Sequence, residues 1–138
     1  MKIRGYASRF DERDAGGDVV RPGAFAASLL ERSTPLPMLS DHQRPIGHWT
    51  RAVEDKRGLR VEGEVSDPAV QRLIRSGRVN GLSIGFKTRR SRGPKGQRDL
   101  LDIDLREVSV VAFPLLGSAR IQQFDDTEKL AQQQGVSA

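Results

Sequence analysis

Three polar residues of this sequence stand in apolar surroundings where a reactive side chain has a chemical use: His42, Ser83 and Glu107. Ser83 lies between two glycines in Asn80-Gly81-Leu82-Ser83-Ile84-Gly85-Phe86. Leu82, Ile84 and Phe86 share one parity, and Ser83, Gly85 and Lys87 share the other, which predicts a half-buried strand. Ser83 then points away from the apolar face, between residues with no side chain to block an approaching backbone. A serine so placed can act as a nucleophile if a neutral imidazole takes its proton and a third group orients the imidazole. His42 is the candidate base and Glu107 the candidate orienting acid. The turn from Leu115 to Ser118, near the end of Glu107's strand, could supply backbone N–H groups to a developing oxyanion, with Leu116 and Gly117 as the expected donors.

The literal Gly-x-Ser-x-Gly match is not an α/β-hydrolase elbow. That elbow turns from strand to helix, and its partners follow as acid and then histidine. Here the chain continues as Phe86-Lys87-Thr88-Arg89 with no helical pattern, and the two histidines, His42 and His48, both precede the serine. An order of histidine, serine, acid is permitted, because a triad is defined by geometry and role. Taken singly, each residue also has a plain reading: Ser83 as a small strand residue, His42 as a loop residue bonded to nearby backbone, Glu107 as an ion-pair partner. His48 reads as an exposed or half-buried strand residue. Asp41, His42 and His48 carry zinc-compatible ligand types, but one loop supplies all three, so no metal and no cofactor is expected.

The elements that must position these residues are legible from periodicity. Lys2 to Phe10 alternates as a first strand, and Asp11 to Asp18 is a turn-rich connection. Pro22 to Arg32 predicts a short helix with Phe25 and Leu29 on one face. Leu36 to Ser40 is extended and delivers Asp41-His42. Gly47 to Val53 and Leu59 to Val65 predict strands joined at Glu54-Asp55-Lys56-Arg57-Gly58. Asp67 as N-cap, Pro68 at the first helical position, Val70, Leu73 and Ile74 as the buried stripe and Gly77 at the end mark a second helix. Leu100 to Phe113 is long and β-prone. In its first half Leu101, Ile103 and Leu105 take odd positions, and Glu107 continues that parity onto a face expected to be apolar, where an unpaired carboxylate is costly. The segment after Pro114 is expected to leave the sheet and return as a last short strand.

The fold class expected is β-rich α+β, a closed or nearly closed barrel of about six or seven strands with two or more peripheral helices, because strands and helices do not alternate regularly. The division expected is a barrel domain over 1–124 and a polar, Gln-rich tail over 125–138, frayed helix or disorder. At 138 residues with 36% hydrophobic and 30% charged content, one core is affordable without staples. No run of about 18 apolar residues is present to span a bilayer, no apolar leader follows Met1, and no cysteine exists to form disulfides or thiolate sites. The net charge of +5 is concentrated in Lys87, Arg89, Arg90, Arg92, Lys95 and Arg98. With Ser91, Gly93, Pro94 and Gly96 among them, that run reads first as a solvated loop and second as a patch for an acidic partner. A non-catalytic basic β-barrel binding nucleic acid or capsid protein is the competing class. Nucleic acid is the weaker partner, since stacking platforms need exposed aromatics and only 5% of residues are aromatic.

With these residues laid out, the sequence resembles the HK97-type prohead maturation proteases of tailed phages, distant relatives of the herpesvirus assembly proteases. The matching blocks are Gly5-Tyr6-Ala7, Arg21-Pro22-Gly23-Ala24-Phe25, and Leu39-Ser40-Asp41-His42 with Pro45-Ile46-Gly47. They continue with Gly58-Leu59-Arg60-Val61-Glu62-Gly63, Gly81-Leu82-Ser83-Ile84-Gly85-Phe86, and Leu105-Arg106-Glu107-Val108-Ser109-Val110-Val111 followed by Pro114. The resemblance spans roughly Ile3 to Ile121, and six ordered blocks make it specific. It implies a serine endopeptidase on a herpesvirus-protease-like barrel, cutting the major capsid protein or its scaffolding segment, and itself, inside an assembling procapsid in the bacterial cytoplasm. The family's histidine and serine fall on His42 and Ser83 and its acid on Glu107. The herpesvirus relatives carry a second histidine in the third position and work as dimers, so a homodimer is a further expectation. Pro114-Leu115-Leu116-Gly117-Ser118-Ala119 departs from the family's usual block after the last strand, the segment expected to hold the oxyanion donors.

Overall fold

The chain's computed structural model describes residues 1–94 and 96–125. Its elements are β1 (Lys2–Arg9), β2 (Asp18–Val20), α1 (Ala26–Glu31), β3 (Pro37–Ser40), β4 (Arg44–Glu54), β5 (Gly58–Val65), α2 (Pro68–Arg75), β6 (Gly81–Arg92), β7 (Arg98–Val111) and β8 (Ile121–Asp125). Eight strands join in one curled sheet, where the sequence predicted about six or seven. The addition is the three-residue β2, just past the segment read as a turn-rich connection. The last strand begins at Ile121 and ends on Asp125, the first residue of the predicted tail; the rest of that tail lies outside the described residues. Among the described residues, no helix is long and apolar enough to cross a membrane.

Strand β7 organises the sheet. One edge pairs antiparallel with β6 along nearly the whole length of both, Gly81 opposite Val111 through Arg92 opposite Asp99. The other edge is shared: β2 runs parallel beside Asp18↔Arg98 to Val20↔Leu100, and β3 runs parallel beside Met38↔Val108 to Ser40↔Val110. Buried backbone groups must be paired, and α1 with its flanks serves the gap between β2 and β3. The Ile103 amide donates to the Ala24 carbonyl (3.1 Å). The Leu105 amide donates to Ser28 Oγ (2.8 Å), and Arg32 donates to the carbonyls of Leu105 (2.9 Å) and Arg106 (3.4 Å).

From β3 the sheet continues through β4, β5, β1 and β8 and curls back on itself. Residues 119–121 fill the seam between its ends: Tyr6 N–H donates to Arg120 O, Leu82 N–H to Ala119 O and Ile121 N–H to Asn80 O. Gly5 is needed there, since a Cβ on it would stand 2.1 Å from the Arg120 carbonyl oxygen. Inside, Phe25, Met38, Ile46, Leu59, Leu82, Leu105 and Val108 are fully buried, and Trp49 donates its indole N–H to Val108 O (3.1 Å).

Helix α2 has the predicted cap, Asp67 accepting from the Val70 amide (3.0 Å). Its buried residues are Val70 and Ile74 only; Leu73, expected in the stripe, sits at the edge and is 37% exposed. The basic run is also not a loop. Lys87 to Arg92 belong to β6 and Arg98 opens β7, because Asp99, Asp102 and Asp104 on the facing strand neutralise the like charges. Arg92 pairs with Asp99, Arg89 with Glu31 and Asp104, and Arg98 with Asp18.

Candidate active site

Sheet register brings the three candidate residues together. Ser83 on β6 lies opposite Ser109 on β7, and Gly85 lies opposite Glu107. Beyond that pair the register slips, Phe86 facing Leu105, so that Arg106 is an extra residue on β7. Such a bulge shifts every later side chain to the other face. Glu107 therefore does not continue the face of Leu105, as its odd parity suggested. It shares the outer face with Ser83, Gly85 and Ser109, while Leu82, Ile84, Val108 and Val110 face inward. The expected conflict between a carboxylate and an apolar face is removed by one inserted residue.

His42 reaches this outer face from the turn joining β3 to β4. Gln43 N–H donates to Ser40 O (3.0 Å), and the two residues between have φ of 50° (Asp41) and 62° (His42). Both central residues are left-handed, the pattern of a type I′ hairpin turn, and Asp and His tolerate it better than most side chains. The turn folds His42 back over β7, where its amide donates to Ser109 Oγ (2.9 Å).

There the His42 Nε2 atom is 3.2 Å from Ser83 Oγ, and Nδ1 is hydrogen-bonded to Glu107 Oε1. The second carboxylate oxygen of Glu107 accepts from Ser109 Oγ (2.8 Å). Ser83 and Glu107 are each 8% exposed and Ser109 is fully buried, while His42 is open to solvent. Gly85 makes room for the acid: a Cβ there would stand 2.1 Å from Glu107 Oε1. Chemically, the arrangement is a hydroxyl, an imidazole and a carboxylate in series, at the range general-base activation of a nucleophile requires.

The remaining predicted residues fall around or away from this series. Leu116 lines a small cavity of about 40 Å³ that also contains Ser83, Ile84 and Ala7. Gly117 does not line it; its carbonyl accepts from Arg120 Nε (2.8 Å). His48 is exposed on β4, opposite Pro37 and Glu64, so it does not join Asp41 and His42. A larger groove of about 940 Å³ lies over β1, β5 and β8 and contains none of the three residues.

A family profile described as Caudovirus prohead serine protease matches residues 1–133. The chain belongs to that family. It is 31% identical over 142 residues to the prohead protease of Enterobacteria phage HK97, covering 93% of this chain and 63% of that protein. It is 34% identical over 123 residues to the prohead protease of Escherichia phage T5, covering 83% and 58%. The chain thus spans about three fifths of these relatives' length. Among solved structures, KSHV protease bound to a hexapeptide phosphonate inhibitor superimposes with a TM-score of 0.64 over 95% of this chain and 67% of that one, at 15% identity. A second KSHV protease structure gives 0.55 over 95% and 64%, also at 15% identity. This member of the prohead protease family therefore has the herpesvirus-protease fold expected from its sequence blocks.

Two features of the site escaped sequence reasoning. The bulge at Arg106 is one; no Gly or Pro marks it. The other is Ser109, a lone hydroxyl between Val108 and Val110, two positions from Glu107. That spacing was the available signal, since residues two apart on a strand share a face.

Proposed function

We propose that this chain is a serine endopeptidase that cuts the major capsid protein or its scaffolding segment, and itself, during maturation of a phage-type prohead. The observation that carries this reading is the 3.2 Å approach of His42 Nε2 to Ser83 Oγ, with Glu107 on the other ring nitrogen. Glu107 accepts from Nδ1–H, which leaves Nε2 unprotonated and free to accept from the Ser83 hydroxyl. Ser83 Oγ attacks the scissile carbonyl carbon as its proton passes to Nε2, and the imidazolium is stabilised by Glu107. Collapse of the tetrahedral intermediate breaks the C–N bond, and the Nε2 proton goes to the leaving amine. Water, deprotonated by the same nitrogen, then hydrolyses the acyl-enzyme.

The amides of Leu116 and Gly117 are the proposed oxyanion donors. Their loop is tied to the strand of Ser83 through Leu82 N–H and Ala119 O (2.9 Å), which supports the assignment. The action is proposed to occur within the assembling procapsid in the host cytoplasm, with the protease working as a homodimer. The test is Ser83→Ala co-expressed with a major capsid protein that carries its scaffolding segment. Intact masses of both proteins are expected to lose every processed species, a fall of about 10⁴- to 10⁶-fold in rate, with the circular dichroism spectrum unchanged. An identical set of cleaved masses from the variant would end the proposal.

A further inference from the structure

We propose that Ser109 is a positioning residue of this site, a hydroxyl that sets the direction of the acid and the seat of the base at once. The proposal rests on the assignment of Ser83, His42 and Glu107 as a catalytic series. Ser109 Oγ is fully buried and has two neighbours of unequal chemistry. One is the backbone N–H of His42, which can only donate. The other is Glu107 Oε2. A hydroxyl has one proton to give and lone pairs to accept with. The His42 amide therefore takes a lone pair, and the Ser109 proton must point at Glu107.

Two consequences follow. With Oε2 held by Ser109, Oε1 is turned toward His42 Nδ1, the atom it must meet to fix the tautomer. The carboxylate has no other side-chain donor among the described residues, and Gly85 on the facing strand offers space but no restraint. Second, the His42 amide bond seats a histidine at φ 62°, a conformation disfavoured for side-chain-bearing residues. A buried hydroxyl that accepts this amide holds the turn against relaxation. Ser109 touches neither substrate nor the reacting proton; it acts through its two neighbours.

The probe is a small organophosphorus fluoridate, so no peptide substrate is needed. Ser83 Oγ forms the P–O bond, fluoride leaves with its electron pair, and the hydroxyl proton passes to His42 Nε2. Ser83→Ala is run first: labelling of that variant would remove the underlying site assignment and leave nothing to position. Given a dead Ser83→Ala, Ser109→Ala is expected to lower the maximal inactivation rate by about 10- to 100-fold, as removal of the partner that orients a metal-bound histidine does, with the half-saturating probe concentration unchanged. In a Glu107→Ala background there is no carboxylate to orient and only the seat of His42 is left to lose, so the same substitution is expected to cost at least about threefold less than it does with Glu107 present. A wild-type rate for Ser109→Ala overturns the proposal. So does an equal loss in both backgrounds, which would mean that Ser109 does not act through the acid. Where Ser109→Ala does not fold, Ser109→Cys decides. The thiol is a weak donor of similar shape, so an intermediate rate supports the proposal and a full rate overturns it.

Discussion

Gly85 has no side chain to offer the reaction, yet replacing it with alanine should disable the site while leaving the sheet intact. An added Cβ would stand 2.1 Å from Glu107 Oε1, 2.8 Å from Cδ and 2.9 Å from Cγ. Contacts under 3.0 Å are essentially never found for a real Cβ, so the carboxylate must retreat by about 1 Å. It is the far end of a flexible side chain, held by hydrogen bonds to His42 and Ser109 rather than by packing, and Gly85 carries no positive φ. The backbone therefore has no cause to move, and alanine even recovers about 0.5–1 kcal/mol of glycine's strand penalty. Glu107 is bonded to His42 through the displaced oxygen. A misplacement of about 1 Å in a positioned group costs roughly 10²-fold, and full loss of the acid's role about 10⁴-fold. The expected fall in rate is thus between these limits, roughly 3–5 kcal/mol of barrier. Fluoridate labelling of Ser83 and cleavage of co-expressed capsid protein both read it, with thermal melting as the control. Gly85→Ala combined with Glu107→Ala should be no slower than Glu107→Ala alone. A Gly85→Ala protein that cleaves at the wild-type rate would refute the steric argument. One that fails to fold would refute the claim that the carboxylate, rather than the strand, gives way.

Ser28→Ala removes the acceptor of the buried Leu105 amide, and is expected to cost about 1–3 kcal/mol in urea unfolding. It should also slow labelling of Ser83, because the bulge that turns Glu107 outward begins at the next residue. Tyr6 donates to Asp55; that bond, followed by burial, raises the phenol above its usual value. For Asp55, burial pushes upward but is outweighed by the Tyr6 bond and the Arg57 and Gly58 amides, so its carboxyl lies below the usual range. The carboxylate's contribution is present above the unfolded pKa and fades as pH falls through the folded one. The phenol's is present below the unfolded pKa, about 10, and fades as pH rises through the folded one. Tyr6→Phe should cost about 1 kcal/mol at neutral pH and lessen the loss of stability at both extremes, read as urea midpoints across pH. On the β6–β7 hairpin, Arg90→Ala is expected to weaken docking to an acidic partner such as a scaffolding segment, and only at low salt. Binding by the variant that matches wild type at every salt concentration would leave that edge a plain structural strand.

Apart from the three-residue β2, the strands, the capped second helix and the three residues of the candidate site were legible because each carries a local signal. Alternation marked β6, Asp67-Pro68 marked α2, and polar residues within apolar runs marked Ser83 and Glu107. What was not legible depends on partners distant in the chain. Lys87 to Arg92 looked like a solvated loop because their aspartates lie on the returning strand, and a sequence window does not show which strand that is. The bulge at Arg106 is held by Ser28 and Arg32 more than seventy residues earlier, so β7's own sequence carries no mark of it. His42 sits where a hairpin turn usually has glycine, so the turn hid behind the residue that uses it.

The site's architecture explains why these illegible features are the ones that matter. Ser83, Glu107 with Ser109, and His42 derive from three elements side by side, β6, β7 and the end of β3, with β7 in the middle. Adjacent strands lie about 4.8 Å apart, so β6 and β3 are nearly 10 Å from one another, too far for a serine to meet a histidine in the plane of the sheet. The gap is closed above the plane. The left-handed turn at Asp41-His42 lifts the imidazole over β7, and the bulge puts Glu107 beneath it. Neither device works alone: without the bulge the carboxylate would face the core, and without the turn the imidazole would stay at the sheet's edge. Ser109 bonds to both. Substitutions that relax either one should therefore uncouple cleavage from folding, whereas those in the inward face of β7 should abolish both together.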